Sequence, residues 1–536
     1  MKGSTAYASI QKRGLHLGLL PQMAAAVNPT TPIHLDHDLD ALPEAGRHLT
    51  IAQYAAHVAD LAARLKAAGV QAGEHVVIHK KANADHWMLA AAVSRIGAIV
   101  VNLSPALDPQ TVAVLLERIG RPTLLTDGAT HDRLSTELDL PSLTQRVITS
   151  AQPRPATVFL GDLADAQPAT PVLRPIDEPA VITHTSGTTG IPKLVVHTPR
   201  TQGIRLVPQW RLLSLLRGRQ TVAIHIPFVH SRMVAAMTLA LLKQYPLLLM
   251  REKDPAQVAD QLLTHRPALI EALPNSLMEW EQLTNDPRAP FASVKVFSST
   301  FDAIHPATMS RLLNASHRRG ALFFQIYGQS EVGPAVGRAY FRRTAHKANG
   351  RCVGWPMPHG AAKIRVVPRN NQPPTPQNPG RIEVAWPGLA PTYHGEQHRY
   401  NANRNGPWWQ TGDIGYRTRY GCLHLLDRET DMIPGIHSTL HIEDTLLAAL
   451  PELTELVIIQ GPHNQPVPVI TTHNDTPLNP DRWHTATTPF PQLTTPLHIP
   501  HNQLPRTATL KVQRHTLTQH PALKHHPTHK HHPNHP

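Results

Sequence analysis

Between residues 50 and 326, short apolar runs alternate with stretches whose apolar residues recur at helical spacing. That alternation restricts the chain to mostly parallel sheets covered by helices, because a parallel strand pair needs a crossover long enough to hold a helix. Thr50-Ile51-Ala52-Gln53 has the form of a capping box, in which the Thr50 and Gln53 side chains satisfy each other's backbone donors. Ile51, Tyr54, Val58, Leu61 and Leu65 then follow at helical spacing up to Gly69. A strand is expected at 75–78, a helix near 85–95 and a strand at 98–101. Further strands are expected at 222–226, 247–250, 268–272, 294–297 and 322–326, with helices at 233–242, 256–264 and 306–315.

After Gly360 the texture turns to strands and turns, at 362–367, 381–385 and 422–426. A domain break is expected near 427–430, followed by a helix at 442–450 and strands at 456–460 and 467–471. Pro, Thr and His then dominate, and the end is low complexity, as in Lys524-His525-His526-Pro527. The expected fold is α/β. A large N-terminal domain over 1–427 combines parallel and mixed sheets covered by helices with a β-rich subdomain. A small mobile α+β domain follows over 428–515, and a disordered His/Pro-rich tail over 516–536.

The chain of 536 residues is long enough for a large core, and 41% hydrophobic content fits a globular protein. No run reaches the ~18 uninterrupted apolar residues of a membrane span; the nearest, 233–242, stops at Lys243 and Gln244. The apolar run at 14–20 is short and holds His16, which makes a poor leader. Two cysteines, Cys352 and Cys422, exclude a disulfide framework and a Cys-rich metal site, so a reducing cytoplasm is the expected setting. The net charge of +13 favours anionic partners. Arg338, Arg342, Arg343, Lys347 and Arg351 form a basic cluster read as a solvated face. No nucleic-acid motif accompanies the charge, and aromatic residues make up only 5%, too few to suggest base stacking.

Thr185-Ser186-Gly187-Thr188-Thr189-Gly190-Ile191-Pro192-Lys193 follows the extended run Ala180-Val181-Ile182. Its glycines allow backbone N–H groups to converge on an anion, its hydroxyls add donors and Lys193 adds a positive charge. The order differs from the P-loop pattern Gly-x-x-x-x-Gly-Lys-[Ser/Thr]. Three more segments carry chemistry. Tyr327-Gly328-Gln329-Ser330-Glu331 follows the strand expected to end at Ile326, placing it at a carboxyl end of the sheet. Thr411-Gly412-Asp413 offers a carboxylate that can accept from two hydroxyls. Leu504-Pro505-Arg506-Thr507 leads to Lys511-Val512-Gln513-Arg514.

Together these motifs resemble the adenylate-forming superfamily, also called AMP-binding or ANL, whose members include acyl-CoA synthetases, peptide-synthetase adenylation domains and luciferases. The resemblance covers roughly residues 45–515. It implies that Thr185, Ser186, Gly187, Thr188, Thr189, Gly190 and Lys193 hold the phosphates of ATP. It also implies that Tyr327 flanks the adenine, that Gly328 belongs to the nucleotide site, that Ser330 contacts the adenylate phosphate and that Glu331 holds Mg²⁺. Asp413 and Arg428 take the ribose, and Lys511 takes the place of the catalytic lysine. A cation there offsets the repulsion between an attacking carboxylate and the α-phosphate. His230, after Phe228, stands where the family gates the acid pocket, and Ser299, Thr300 and Phe301 stand where it carries small residues.

The implied reaction joins ATP and a carboxylic acid, aryl or of medium length, into an acyl-AMP with release of pyrophosphate. The acyl group would pass to a thiol, either CoA or the phosphopantetheine arm of an acyl carrier protein. Bulkier residues at 298–302 are expected to reshape the acid pocket. Two further departures bear on the second step: Thr430 replaces the family's Asp or Lys at the hinge, and 461–504 is Pro- and Thr-rich where a helix is expected. The altered hinge favours a non-thiol acceptor: an amine, a hydroxyl, or an aryl amine diazotised by activated nitrite. A third reading is a relative that binds nucleotide without turnover, against which Lys511 and Glu331 argue. No nucleic-acid partner and no membrane span are expected.

Overall fold

The computed structural model describes residues 3–185, 190–213, 216, 218–300, 304–348, 351–357, 362–507 and 512–525. Lys511 and the tail residues 526–536 lie outside them.

Two large sheets share one core. The first runs in the order Val158–Phe159, Arg146–Thr149, Thr123–Thr126, His75–Ile78, Ile99–Asn102, Val181–His184, Leu194–His197. Every neighbouring pair in it is parallel except the last. The second has a parallel half, from Pro32–Leu35 through Leu247–Leu249, Val222–His225, Leu269–Ala272 and Val296–Ser299 to Leu322–Gln329. From there it continues antiparallel through Gly333–Phe341, Cys352–Pro356, Leu423–Arg428, Trp408–Arg417 and Gly380–Ala385 to Lys363–Val367. The β-rich part is thus a hydrogen-bonded extension of the second sheet.

Side-chain alternation along the strands builds the layers. Val76, Ile78 and Val100 of the first sheet, and Val222, Ile224 and Phe324 of the second, face the shared core. Their neighbours turn outward. Val77 and Val101 pack on Leu115 and Leu116 of helix Pro109–Ile119. Ala223, Ile270 and Phe323 pack on Val258, Leu262, Met309 and Leu312. Helices Asp85–Arg95 and Ser231–Leu242 contribute to the shared core and bury most of their residues, as elements covered on all sides must.

The capping box at Thr50 is present and starts helix Ile51–Ala67. Three local features depart from expectation. Strand Leu322–Gln329 runs past Ile326, because Gly333–Phe341 folds back and pairs with it, with a bulge between Tyr327 and Gly328. Helix Pro199–Leu213 forms despite Pro208 in its interior. The stretch 461–504 contains helix Pro480–Thr487, capped by the Asn479 side chain and begun by proline.

A small sheet of Leu453–Gln460, Pro466–Thr472 and Leu497–His498 follows helix Thr439–Ala449. Cys352 and Cys422 are joined as one disulfide. In the basic cluster, Arg338 lies over the Tyr340 ring, 4.7 Å from its centroid, and Arg342 donates to the carbonyls of Leu313 and Ser316. Those two arginines are therefore structural and not simply solvated. Among the described residues, no helix is long and apolar enough to cross a membrane.

Candidate active site

The phosphate-type loop joins two antiparallel strands, with His184 opposite Leu194. Thr185 ties its ends together: its N–H donates to the Lys193 carbonyl (3.0 Å) and its Oγ1 accepts from the Lys193 N–H (3.2 Å). Gly190 adopts φ +130°, a backbone conformation that L side chains rarely adopt. Ser186, Gly187, Thr188 and Thr189 lie outside the described residues. Thr185 and Lys193 border a cavity of about 380 Å³, with residues 328–331, Gln410, Thr411, Gly412, Arg428 and Thr430 on the same half.

Glu331 is 7% exposed and lies on the wall of this half. Its Oε1 accepts from the Tyr393 hydroxyl at 2.6 Å, and its backbone carbonyl accepts from Arg205 Nη2 at 2.8 Å. Lys193 Nζ stands 5.2 Å from the Tyr393 ring centroid. Burial pulls the Lys193 ammonium below its ordinary pKa, and Glu331 opposes that shift. A carboxylate oxygen near a lysine on the cavity wall fits a hard, oxygen-liganded cation such as Mg²⁺.

Asp413 sits opposite Arg428 in the strand register, with Arg428 Nε 3.8 Å from Oδ1. Its Oδ2 accepts from the Tyr327 hydroxyl (2.6 Å) and from Gln329 Nε2 (3.1 Å). Burial, then the neighbouring Asp413 charge, raises the Tyr327 phenol well above its usual pKa, so Tyr327 remains a donor. The bulge after Tyr327 is crowded: a Cβ on Gly328 would sit 2.1 Å from the Gly333 carbonyl oxygen.

The remaining lining residues are mixed in polarity. Helix Pro199–Leu213 presents Gln202, Arg205, Leu206 and Gln209 to the cavity, positions that share one helical face. Arg205 is 6% exposed and donates to the carbonyls of Gly388 (2.7 Å), Ser330 (3.0 Å) and Glu331. Burial lowers its guanidinium to about 10, an effect Glu331 opposes. Arg205 Nη1 also meets His197 Nδ1 at 3.2 Å, which leaves Nε2 to carry the proton toward Thr183 Oγ1, 2.8 Å away. Burial and then Arg205 keep that imidazole well below its ordinary pKa, hence neutral. His230 caps helix Ser231–Leu242 by accepting the Arg232 N–H at Nδ1 (3.0 Å). Arg232 in turn makes a two-pronged ion pair with Glu271: Nε to Oε1, and Nη2 to Oε2 at 2.6 Å.

Of the residues singled out from sequence, the structure brings Thr185, Lys193, His230, Thr300, Gly328, Ser330, Glu331 and Arg428 onto one cavity wall. Tyr327 and Asp413 stand just behind it, bonded to each other. Phe228 and Ser299 are buried and do not line it; Phe228 packs toward His37. Phe301, like Lys511, falls outside the described residues. However, Pro505 accepts the Gln513 N–H and Arg506 bridges to Val512, so the chain on both sides of Lys511 is held together. Sequence reasoning missed Gln202, Arg205, Gln209, Arg232 and Tyr393. The first three sit on helix Pro199–Leu213, which Pro208 and its polar cavity side hide from a sequence reading, and the others carry no local signal.

Residues 22–394 match the family described as AMP-binding enzyme. The chain is 40% identical over 528 residues to the 3-amino-2-hydroxy-4-methoxybenzoate diazotase of Streptomyces cremeus, covering 94% of this chain and 95% of that protein. It is 28% identical over 431 residues to a 3-aminoavenalumate diazotase of a Streptomyces species, covering 77% and 74%. Among solved structures, it resembles the o-succinylbenzoate coenzyme A synthetase of Bacillus subtilis in complex with ATP and magnesium ion. That match has a TM-score of 0.74 at 20% identity, over 93% of this chain and 98% of that one. With the loop, the Glu331 turn and the Asp413–Arg428 pair around one cavity, this chain belongs to the AMP-binding enzyme family, the adenylate-forming enzymes.

Proposed function

We propose that this enzyme activates nitrite with ATP and transfers the nitrosyl group to an aromatic amine, giving a diazonium product. The observation that carries the reading is the 40% identity to a diazotase along nearly the whole chain. The cavity supports it, since one half suits a nucleotide and the other is a small mixed pocket that can seat a ring. The altered hinge at Thr430 adds support for an acceptor other than a thiol. Transfer to CoA or to a carrier-protein phosphopantetheine is the competing outcome.

In the first step nitrite oxygen attacks the α-phosphorus and pyrophosphate leaves, so nitrite becomes a nitrosyl-AMP. Lys511 would stand between the two anions, and the Thr185–Lys193 loop would grip the phosphates. Glu331 would hold Mg²⁺, whose charge offsets that of the phosphates. Asp413, positioned by Tyr327 and Gln329, would face the ribose together with Arg428. In the second step the amine nitrogen attacks the nitrosyl nitrogen, AMP leaves and one N–H proton is lost. The nitrosamine tautomerises, takes up a proton and loses water to leave the diazonium.

The test is a product assay with ATP, Mg²⁺, nitrite and aminobenzoates, with AMP release and azo coupling followed together. A parallel assay supplies carboxylic acids with CoA. Nitrite-dependent AMP and an azo dye are expected. A CoA thioester without nitrite dependence would replace this reading with the acid–thiol one.

A further inference from the structure

Helix Pro199–Leu213 is braced by the first residues of the chain, which lie outside the 22–394 span of the family match. Helix Gly3–Arg13 packs along it in the opposite direction. The Tyr7 and Trp210 rings stack with centroids 4.1 Å apart, and Lys243 Nζ stands 3.9 Å from the Trp210 centroid. Two turns further on, Gln11 Nε2 reaches the Gly203 carbonyl at 2.8 Å. Pro208 removes one of the helix's own hydrogen bonds, so these outside contacts matter more to its placement. Helix Gly3–Arg13 ends at Gly14, whose N–H donates to the Ile10 carbonyl (2.8 Å) and whose φ is +83°. A Cβ on Gly14 would stand 2.7 Å from Pro199 Cβ, so only glycine fits this turn. The turn delivers Leu15, whose N–H donates to the Pro199 carbonyl at 2.8 Å. Leu15 belongs to one apolar cluster with Leu206, Val234 and Ile326, and all four border the cavity.

Resting on the reading that this cavity seats the aromatic amine, we infer that residues 3–15 complete its wall and that Leu15 sets how large a ring it admits. Leu15 is a specificity-determining residue because its volume closes the apolar side of a cavity of about 380 Å³. Gly14 is a positioning residue, since the turn it allows aims Leu15 inward. The segment that completes the substrate wall thus comes from outside the part of the chain that carries the family's motifs.

The test compares 3-aminobenzoate with 3-amino-2-naphthoate, which adds one fused ring. Binding is measured by calorimetry on the full chain loaded with α,β-methylene-ATP, and diazotisation kinetics are measured with ATP and nitrite. The wild type should favour the smaller amine by about 10-fold or more. Leu15→Ala should move that ratio toward the larger amine by about 10-fold, in KM more than in kcat. Because Leu15→Ala also empties core volume, Leu15→Phe is made beside it and should weaken both amines by about 10-fold while the nucleotide binds within about twofold of wild type. Leu15→Met should restore the wild-type ratio. Leu17→Ala serves as the control: Leu17 is in the same apolar cluster but does not border the cavity, so its loss should leave the ratio unchanged. A ratio untouched in Leu15→Ala and nucleotide and amine weakened alike in Leu15→Phe, the same shift in Leu17→Ala, or no binding of either amine by the wild type would overturn the inference. Failure of the diazotisation reading is separate: it would appear as no nitrite-dependent AMP while the Leu15 variants still move the binding ratio.

Discussion

Lys80 is fully buried, with Nζ 2.7 Å from Asp85 and 3.4 Å from Asp40. Asp85 also accepts the Ala41 N–H at 2.8 Å. A buried charge is tolerated only with its partner, so Asp85→Ala should lower stability by about 3–5 kcal/mol in chemical denaturation. Lys80→Met/Asp85→Leu should recover most of that loss. Near the site, Tyr327 acts through another residue. Tyr327→Phe removes a donor from Asp413 and should raise the KM for ATP about tenfold, leaving kcat for bound substrates within a few-fold. A drop in kcat with unchanged KM would show that the phenol does something else.

At the level of elements, the bulge after Tyr327 governs how Ser330 and Glu331 reach the cavity. Gly328→Ala would drive a Cβ against the Gly333 carbonyl and prise the two strands apart. AMP formation should fall by at least about 100-fold, with little change in far-UV circular dichroism. Elements with a local signature were legible beforehand. The Thr50 capping box marked the start of helix Ile51–Ala67, and helix Asp85–Arg95 has the limits its sequence suggests. Helix Pro199–Leu213 was hidden, because the side it turns to the cavity is polar and Pro208 interrupts it. The extension of Leu322–Gln329 beyond Ile326 depends on a partner strand, not on its own residues. In the site, contiguous motifs were readable. The Arg232–Glu271 pair was not, since two residues 39 positions apart meet only after strands order themselves.

On the scale of the whole molecule, a charged cluster marks the passage from the second sheet to the small one. Arg514 grips Glu443 through both terminal nitrogens and the Ile458 carbonyl through one, while Asp431 lies 3.8 Å away. Asp427, at the end of the last strand before this passage, accepts from the Thr439 N–H and hydroxyl. Burial nevertheless raises its carboxyl to about 7. The folded chain then holds a proton that the unfolded chain gives up near 3.8. This contribution to stability is full below that pH, declines as pH rises toward 7 and is gone above it. Asp427→Asn should flatten that slope relative to the wild type in melting temperatures recorded across pH 4–8. Beyond the same passage lies Lys511. Lys511→Ala should slow pyrophosphate release by about 10²–10³-fold without weakening ATP binding comparably.

The cavity face of helix Pro199–Leu213 carries one residue that cannot be exchanged between two that can. Arg205 rivets the helix to the carbonyls beside Glu331, whereas the side-chain oxygens of Gln202 and Gln209 have no hydrogen-bond partner among the described residues. Substrate range and scaffold are therefore written in separate letters on one helix. A library confined to positions 202 and 209 should yield folded enzymes that accept new ring substituents, while one that includes 205 should fill with inactive clones.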